Sequence, residues 1–387
     1  MVMVGVDIVG AGPAGLATAL EIVQRNTREQ VWWLNQAMPC AVTVYDEKEK
    51  IGEPQRCAGG VGLWMAGRVG FEPPPNTIVA NVRRVTIYAP NGKYWEMKGM
   101  NYGYVLDRTK LEQIWAEQVQ NLGGLIIQKR IVKEDIACSV HVGNVVVGAD
   151  GPNSVVRQFL TQQDYLYLQN KQLQPLGQDM HIGVQKTIMM DYYPQDLIEV
   201  YFGEKVAPKG YAWIFPCGNG MVRIGLGVPV ELGSQAGALL ERFIARHVVE
   251  YEAKCSIAKQ IPTARMPKKG VYGNVVLVGD ALPATDPLTG GGICQAIMTG
   301  KAAAEAIVYG DLECYDSLIA WLRKENHRRY RMKTVICSLK DQDFNDLIET
   351  MRSFHLKSSS IGKELRRGVV HLIRKKPRLI GKFFKAL

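Results

Sequence analysis

The sequence predicts an α/β protein with α+β character, built on a Rossmann-like, dinucleotide-binding parallel sheet. Three glycine-marked stretches carry that prediction, at residues 9–15, 147–152 and 278–281. Each follows an apolar run typical of a buried strand, so one parallel sheet can bring all three to a single ligand. Together they are typical of one FAD site, and FAD is the cofactor that we predict.

The chain is long enough for more than one packed region, because its 387 residues exceed the size at which a single core usually stops growing. We predict a discontinuous FAD-binding domain, a β-rich substrate domain and a helical C-terminal region. In that order, these comprise residues 1–65, 101–165 and 266–310; residues 66–100 and 166–265; and residues 311–387.

Composition excludes several classes of protein. No stretch of about 18 apolar residues is available to span a bilayer, and Met1 leads directly into an apolar strand without a signal region. We therefore expect a cytoplasmic protein. The eight cysteines show neither CxxC pairs nor zinc spacing, so we expect no metal site.

The formal charge of +10 is concentrated at the C-terminus, where residues 363–387 contain nine Lys or Arg and a single acid. Apolar residues recur there at roughly helical spacing, interrupted by Pro377. Such a basic amphipathic segment suits an anionic membrane surface on the inner face of the cell membrane. It equally suits a helix that packs on the body of the protein, and no nucleic-acid module accompanies the charge.

Gly10, Gly12 and Gly15 have the GxGxxG spacing, between two strand-like runs. In this motif the first glycine permits the turn, the second admits the pyrophosphate and the third lets helix and strand pack. Asp46 ends the second strand, where a carboxylate would accept the ribose hydroxyls. Glu47 is the neighbouring alternative, although the strand register favours Asp46.

Seven further segments complete a recognisable series, in a fixed order along the chain. They are residues 46–48 (DEK), 51–54 (IGEP), 56–60 (RCAGG), 104–108 (YVLDR), 148–151 (GADG), 278–281 (VGDA) and 286–293 (DPLTGGGI). In this order the chain resembles the geranylgeranyl reductase family over roughly residues 5–310. The resemblance implies a flavoprotein fold of the p-hydroxybenzoate hydroxylase type.

The most discriminating segment is residues 208–216, PKGYAWIFP, which matches the substrate-site pattern PxxYxWxFP of that family. Because side chains alternate along a strand, Tyr211, Trp213 and Phe215 would share one face and form an apolar wall for the substrate. An ordinary core face of a sheet would show the same alternation.

The resemblance also implies which residues contact FAD. These are Ala14, Asp46, Cys57, Ala58, Gly60, Arg108, Val132, Asp280, Gly292 and Ile293, to which the glycine motifs themselves add Gly10, Gly12, Gly15, Gly290 and Gly291. We expect Arg108 to be exposed after its strand and to pair with phosphate or ribose, and Asp280 to accept from ribitol hydroxyls. The glycines at 290–292 would present amides to the pyrimidine edge of the flavin.

The implied reaction is reduction of isolated C=C bonds in geranylgeranyl chains of archaeal ether lipids, by hydride from reduced flavin N5 plus a proton. An isolated alkene has no carbonyl to polarise, so the site needs an acid near the substrate. Tyr211, Cys57 or an ordered water can serve, although Cys57, like Cys294 directly after the TGGGI segment, can equally be a buried structural cysteine. The residues do not choose between them.

Other functions stay open on the sequence. The prenyl chain could belong to a diphosphate, a chlorophyll or a quinone, and the same frame supports aromatic monooxygenases and halogenases. A prenyl-binding chaperone without flavin is the non-enzymatic alternative. No second GxGxxG marks a stable nicotinamide site, so we expect NAD(P)H to bind transiently or a ferredoxin to donate electrons.

Overall fold

The computed structural model describes residues 3–28, 39–161, 173, 177 and 179–352. The basic segment at 363–387 lies outside these residues, as does part of the predicted C-terminal region. Within the described ranges, no helix combines the length and the apolarity needed to cross a bilayer.

The first sheet has six strands in the order β13-β14-β7-β1-β2-β6. These are β1 (Val4–Val9), β2 (Cys40–Asp46), β6 (Leu125–Gln128), β7 (Val145–Gly148), β13 (Val271–Tyr272) and β14 (Val275–Leu277). All neighbours pair in parallel except β13 with β14. Strand β7 is buried along its whole length, as expected of a parallel strand covered on both faces.

The chain also forms the helices α1 (Pro13–Arg28), α2 (Leu63–Arg68), α3 (Arg108–Asn121), α4 (Lys133–His141), α5 (Val155–Thr161) and, later, α7 (Ile293–Val308). Helices α1, α4, α5 and α7 follow strands of this sheet, whereas α2 and α3 follow strands of the second sheet described below. The α3 helix is capped by Asp107, whose carboxylate accepts from the Lys110 amide at 3.0 Å.

Helices α1 and α7 make a close contact centred on Ala14. A Cβ on Gly300 of α7 would lie 2.6 Å from the Ala14 carbonyl oxygen, and a Cβ on Gly279 would lie 2.8 Å from the Ala14 methyl group. Real Cβ atoms do not approach other atoms so closely, so both neighbours of Ala14 have to be glycine. The contact fixes the start of α1 against the middle of α7 and against the turn at Gly279–Ala281.

The second sheet has eight strands in the order β12-β8-β11-β10-β9-β4-β5-β3. They are β3 (Gly60–Gly62), β4 (Ile78–Tyr88), β5 (Tyr94–Leu106), β8 (Met180–Met189), β9 (Leu197–Tyr201), β10 (Tyr211–Pro216), β11 (Met221–Pro229) and β12 (Ala253–Pro262). Only β4 and β9 pair in parallel. Helix α6 (Ala236–Ile244) packs on one face, against Ala212 and Ile214.

The chain after α7 forms α8 (Tyr315–Leu318), α9 (Ala320–Ile336) and α10 (Asp341–Arg352). Short 3-10 turns occur at Pro75–Thr77, Val230–Gln235, Gly279–Ala281 and Leu312–Cys314. Helix α9 is fastened by buried Asn326, whose side-chain oxygen accepts from the Met266 amide at 2.9 Å. The same side chain donates to the carbonyl of Thr285 at 3.3 Å.

The predicted fold class is confirmed, since a mainly parallel sheet and a β-rich sheet are followed by helices. The domain boundaries stay a prediction. Strand β5 runs across the boundary placed at residues 100–101, because the β4–β5 hairpin extends to Leu106 before the chain returns to the first sheet.

Candidate functional site: a cavity between the two sheets

One cavity of about 1760 Å³ lies between the two sheets and reaches α9 and α10. All the residues predicted to bind FAD line it except Gly15, and so do Tyr211, Trp213 and Phe215. Its nucleotide end is formed by the loops of the first sheet, and its aromatic end by the second sheet. The cavity therefore brings together segments that are remote in sequence.

The three glycines of GxGxxG differ in their surroundings. Gly10 has a φ of +104°, and a Cβ there would lie 2.5 Å from the Ala149 carbonyl oxygen. A Cβ on Gly15 would lie 1.9 Å from the Gly10 carbonyl oxygen, whereas a Cβ on Gly12 would have no protein atom within 4 Å. Gly12 therefore leaves room for a ligand, and the other two glycines are required by backbone packing.

Asp46 closes the turn after β2. Its Oδ2 accepts from the Ala11 amide at 2.7 Å and its Oδ1 from the Lys48 amide at 2.9 Å. Because each carboxylate oxygen has a second lone pair, both can still accept from a ribose hydroxyl. Glu47 also lines the cavity but is 66% exposed and faces Arg130 at 3.7 Å.

Val132 lies on the cavity wall at the start of α4, where its backbone is already hydrogen-bonded. Its amide donates to Asp135 Oδ2 at 3.0 Å, and its carbonyl accepts from the Ile136 amide at 3.3 Å. A ligand could use the second lone pair of the carbonyl, whereas a bond to the amide would have to displace Asp135.

Arg108 is half-buried rather than exposed as predicted, because α3 begins at this residue and packs against the loop at 55–58. Its guanidinium pairs with Glu112. Burial opposes its positive charge, but Glu112 and Cys57 together outweigh burial and raise the pKa of Arg108. The buried Nε of Arg108 has no hydrogen-bond partner among the described residues, so it can donate to a ligand in the cavity.

The loop with Cys57 and Ala58 is held by two polar side chains. Gln55 donates to the Cys57 carbonyl at 3.1 Å and accepts from the Arg108 amide at 3.1 Å. Arg223 of β11 donates to the Ala58 carbonyl at 2.9 Å. Sequence reasoning missed Arg223, since only the fold places it beside this loop.

Asp280 is held by two neighbours. Its Oδ2 pairs with Lys259 of β12 at 3.1 Å, and its Oδ1 accepts from the Thr285 hydroxyl at 2.6 Å. Burial favours the protonated acid, but the charge of Lys259 and the hydrogen bonds outweigh it and lower the pKa of Asp280. The carboxylate therefore stays ionised and can accept from a sugar hydroxyl.

Two of the three amides predicted to face the flavin are used within the loop. The Gly290 amide donates to the Asp286 carbonyl at 2.8 Å, and the Gly291 amide donates to the Thr289 hydroxyl at 3.3 Å. The prediction that all three glycines present amides to the flavin therefore does not hold for Gly290 and Gly291, because the loop forms hydrogen bonds within itself. Helix α7 begins at Ile293, and amides of its first turn have no partner inside the helix.

At the aromatic end, Tyr211, Trp213 and Phe215 line the cavity, while Ala212 and Ile214 point to the core on the other face of β10. The rings of Tyr211 and Trp213 have centroids 5.7 Å apart. A Cβ on Gly225 would lie 2.5 Å from the Trp213 indole, so residue 225 on the facing strand β11 has to be glycine. The alternation therefore forms a cavity wall, not only a core face.

Two rings that sequence reasoning missed extend this wall. Phe202 lies just after β9, and its ring stacks on Phe344 of α10 with centroids 4.8 Å apart. Both line the cavity, and the Phe202 ring lies 6.2 Å from Tyr211. No motif marks either residue, since they meet only when α10 packs on the second sheet.

Tyr211, Cys57 and Cys294 differ in their surroundings. Tyr211 donates its hydroxyl to the Thr289 carbonyl, and burial, followed by the charge of Asp286, raises the pKa of Tyr211. The Cys57 sulfur accepts from the Gly59 amide at 3.3 Å. Cys294 is buried in α7, and burial raises the pKa of its thiol to about 12. Tyr211 and Cys294 are therefore protonated at neutral pH.

The fold and the cavity define a flavoprotein-type α/β class. A geranylgeranyl bacteriochlorophyll reductase-like protein from Thermoplasma acidophilum is similar with a TM-score of 0.79 and 21% identity, over 100% of both chains. The flavin-dependent brominase Bmp2 gives a TM-score of 0.59 at 14% identity, over 97% of this chain and 100% of that one. Klebsiella pneumoniae HpxO, complexed with FAD and uric acid, gives 0.60 at 16% identity, over 97% and 98%.

Residues 179–262 match the family model described as the geranylgeranyl reductase catalytic domain. The digeranylgeranylglycerophospholipid reductase 2 of Methanococcoides burtonii is 28% identical over 92% of this chain and 90% of the relative. The digeranylgeranylglycerophospholipid reductase of Methanothrix thermoacetophila is 27% identical over 97% of both. The predicted resemblance is confirmed, since residues 179–262 match the catalytic domain of the geranylgeranyl reductases and most of the chain is similar to proteins named as such reductases.

Proposed function

We propose that this protein is an FAD-dependent reductase of isolated C=C bonds in the geranylgeranyl chains of archaeal ether lipids. The observation that carries the proposal is the aromatic face of β10, which lies inside the matched catalytic domain and on the cavity that the nucleotide motifs share. Relatives over most of the chain are named as reductases of such lipids.

The residues present fit FAD. Gly12 leaves open space at the start of α1, Asp46 and Asp280 offer lone pairs, and the unpartnered Nε of Arg108 offers a donor. Amides at the start of α1 and α7 favour a diphosphate and a developing negative charge, respectively. When bound and reduced, FAD would supply the hydride of the reaction.

The chain itself has to orient the alkene and provide the proton. Tyr211, Trp213 and Phe215 give the prenyl chain a flat apolar surface, which excludes water. Tyr211 keeps its proton because its pKa is raised, and its hydroxyl sits beside the loop that leads to α7. We propose Tyr211 as the acid, with Cys57 or an ordered water as the alternatives.

Mass spectrometry tests the reaction directly. Dithionite-reduced enzyme incubated with an unsaturated ether lipid should yield products heavier by the mass of two hydrogens for each bond reduced. Tyr211→Phe should slow turnover about 100-fold with normal flavin content, since general acids contribute a factor of this order. The fully exposed Tyr192→Phe serves as the matched control. Wild-type turnover in Tyr211→Phe would exclude Tyr211 as the acid.

The electron donor and the cellular location are part of the same proposal. We propose a cytoplasmic enzyme that works at the inner face of the cell membrane and receives electrons from NAD(P)H or a ferredoxin. Anaerobic bleaching of the flavin with each donor in turn distinguishes them. Removing residues 363–387 should reduce turnover of lipid in vesicles more than that of detergent-dispersed lipid, and equal losses would indicate a structural tail.

A further inference from the structure

An exposed apolar corner lies at α2, where the cavity reaches the surface. Trp64 is 61% exposed and also lines the cavity, so the cavity opens beside its ring. The preceding Leu63 is 39% exposed. Large apolar side chains exposed singly are common, whereas adjacent ones at the mouth of an apolar cavity indicate a contact surface.

A third apolar side chain belongs to the same corner. Gly62 at the end of β3 pairs with Gly103 of the antiparallel β5, so α2 begins over the part of β5 that precedes Gly103. Met100 lies three residues before Gly103 and is 49% exposed. We call Leu63, Trp64 and Met100 the apolar corner.

Cations lie on the Trp321 side of this corner. The Arg68 guanidinium lies 4.2 Å from the centre of the Trp321 ring, and that ring lies 6.0 Å from Trp64. Lys324 and Arg328 follow Trp321 at spacings of three and seven residues on α9, which places them on the same helix face. Both are exposed, and Arg328 is 60% exposed even though it pairs with Glu325.

We propose that the apolar corner docks on an anionic phospholipid bilayer and admits a prenyl chain from the bilayer into the cavity. This inference rests on the proposed function for the identity of the lipid. An opening in water would expose each methylene of a passing chain, whereas an opening that is seated in the bilayer avoids that exposure. Tryptophan is enriched at membrane interfaces, and nearby cations are attracted to anionic headgroups.

An acidic protein donor would also be attracted by the cations. It would gain less from Leu63 and Met100, because interfaces of transient electron-transfer partners are small and these side chains suit an acyl environment better. The bilayer is therefore the occupant that both the apolar side chains and the cations favour.

The test is sedimentation of the full-length protein with vesicles of phosphatidylcholine and phosphatidylglycerol, which contain no reducible prenyl chain. Leu63→Asp should weaken vesicle binding about tenfold or more, the scale set by removing one inserted leucine. Val249→Asp, which introduces the same charge at a 99% exposed residue, should bind as the wild type. Thermal unfolding and flavin content check that both variants are folded.

A second measurement locates the contact. Brominated lipids should quench tryptophan fluorescence in the wild type, and Trp64→Phe should remove part of that quenching. The inference is overturned if Leu63→Asp binds vesicles like the wild type, or if it loses no more binding than Val249→Asp. Binding of an acidic ferredoxin that depends on Leu63, without binding of vesicles, would also overturn it. Since the vesicles contain no substrate, failure of the proposed reductase activity would leave the result unaffected.

Discussion

At its nucleotide end the cavity is lined by closely packed backbone, whereas at its aromatic end it is lined by side-chain rings. Gly10, Gly12 and Gly15 act through the space that a missing Cβ leaves. The rings of Tyr211 and Phe344 act through their own surface, on elements more than 100 residues apart in the chain. A backbone wall tolerates almost no substitution, whereas a wall of rings can be rebuilt from other apolar side chains of similar size.

Adding one methyl group at Gly15, and separately at Gly12, tests how strictly the backbone of this turn requires glycine. Gly15→Ala places a carbon 1.9 Å from the Gly10 carbonyl oxygen. We expect the free energy of unfolding to fall by about 3 kcal/mol or more, because only backbone movement can relieve the clash. Chemical denaturation measures the free energy of unfolding, and the visible flavin absorbance measures how much FAD the variant retains.

Gly12→Ala is the matched control, because no protein atom lies within 4 Å of the added methyl group. We expect the cofactor-free protein to be as stable as the wild type and FAD retention to be lost. Normal FAD retention in Gly12→Ala would mean that the nucleotide does not approach this turn.

The aromatic end should respond to pH through His181, which contacts Thr263 at 3.0 Å. Burial, followed by the charge of Lys333, lowers the pKa of His181 to about 4. The unfolded chain, with a histidine pKa of about 6.5, therefore binds more protons between these values. The contribution of neutral His181 to stability is complete above about pH 6.5 and is lost as pH falls toward 4, by about 2 kcal/mol at pH 4.5.

Denaturation of the wild type and of His181→Gln at several pH values checks this prediction. The variant should show a flatter decline in the free energy of unfolding between about pH 6.5 and 4.5. Parallel curves for the two proteins would show that His181 does not carry the effect.

A smaller loss of stability is expected on substitution of Arg329 of α9, which lines the cavity and contacts Asp286. Its guanidinium binds Asp286, which is 7% exposed, at 2.7 Å, and Glu325 at 2.8 Å. Arg329→Gln leaves the Asp286 carboxylate without its cation next to the loop at 289–292. Because Arg329 is itself 27% exposed, we expect a loss of about 1–2 kcal/mol, less than for a fully buried pair.

The neighbouring Arg328→Gln is the control, since Arg328 also pairs with Glu325 but is 60% exposed. Its loss should stay below about 0.5 kcal/mol. Equal effects of the two substitutions in thermal unfolding would contradict a special role for the Asp286 contact.

The difference between the backbone at the nucleotide end and the rings at the aromatic end explains which features could be predicted from the sequence. Glycine spacing and strand alternation are local, so they predicted the parallel sheet, the nucleotide turn and the shared face of Tyr211 and Trp213. Contacts between distant elements leave no local pattern. Lys259 at Asp280, Arg223 at Ala58 and the Phe202 and Phe344 pair were therefore missed. The exposed position predicted for Arg108 was wrong, because the loop at 55–58, which is remote in sequence, packs against the start of α3 beside this side chain.

The contact between α1 and α7 restricts which amino acids position 14 can hold during evolution. Position 14 touches residues 279 and 300, and both of these are already the smallest amino acid. Neither neighbour can shrink to compensate for a larger residue at 14. Position 14 should therefore alternate only between alanine and glycine among descendants, however freely the surface of either helix changes.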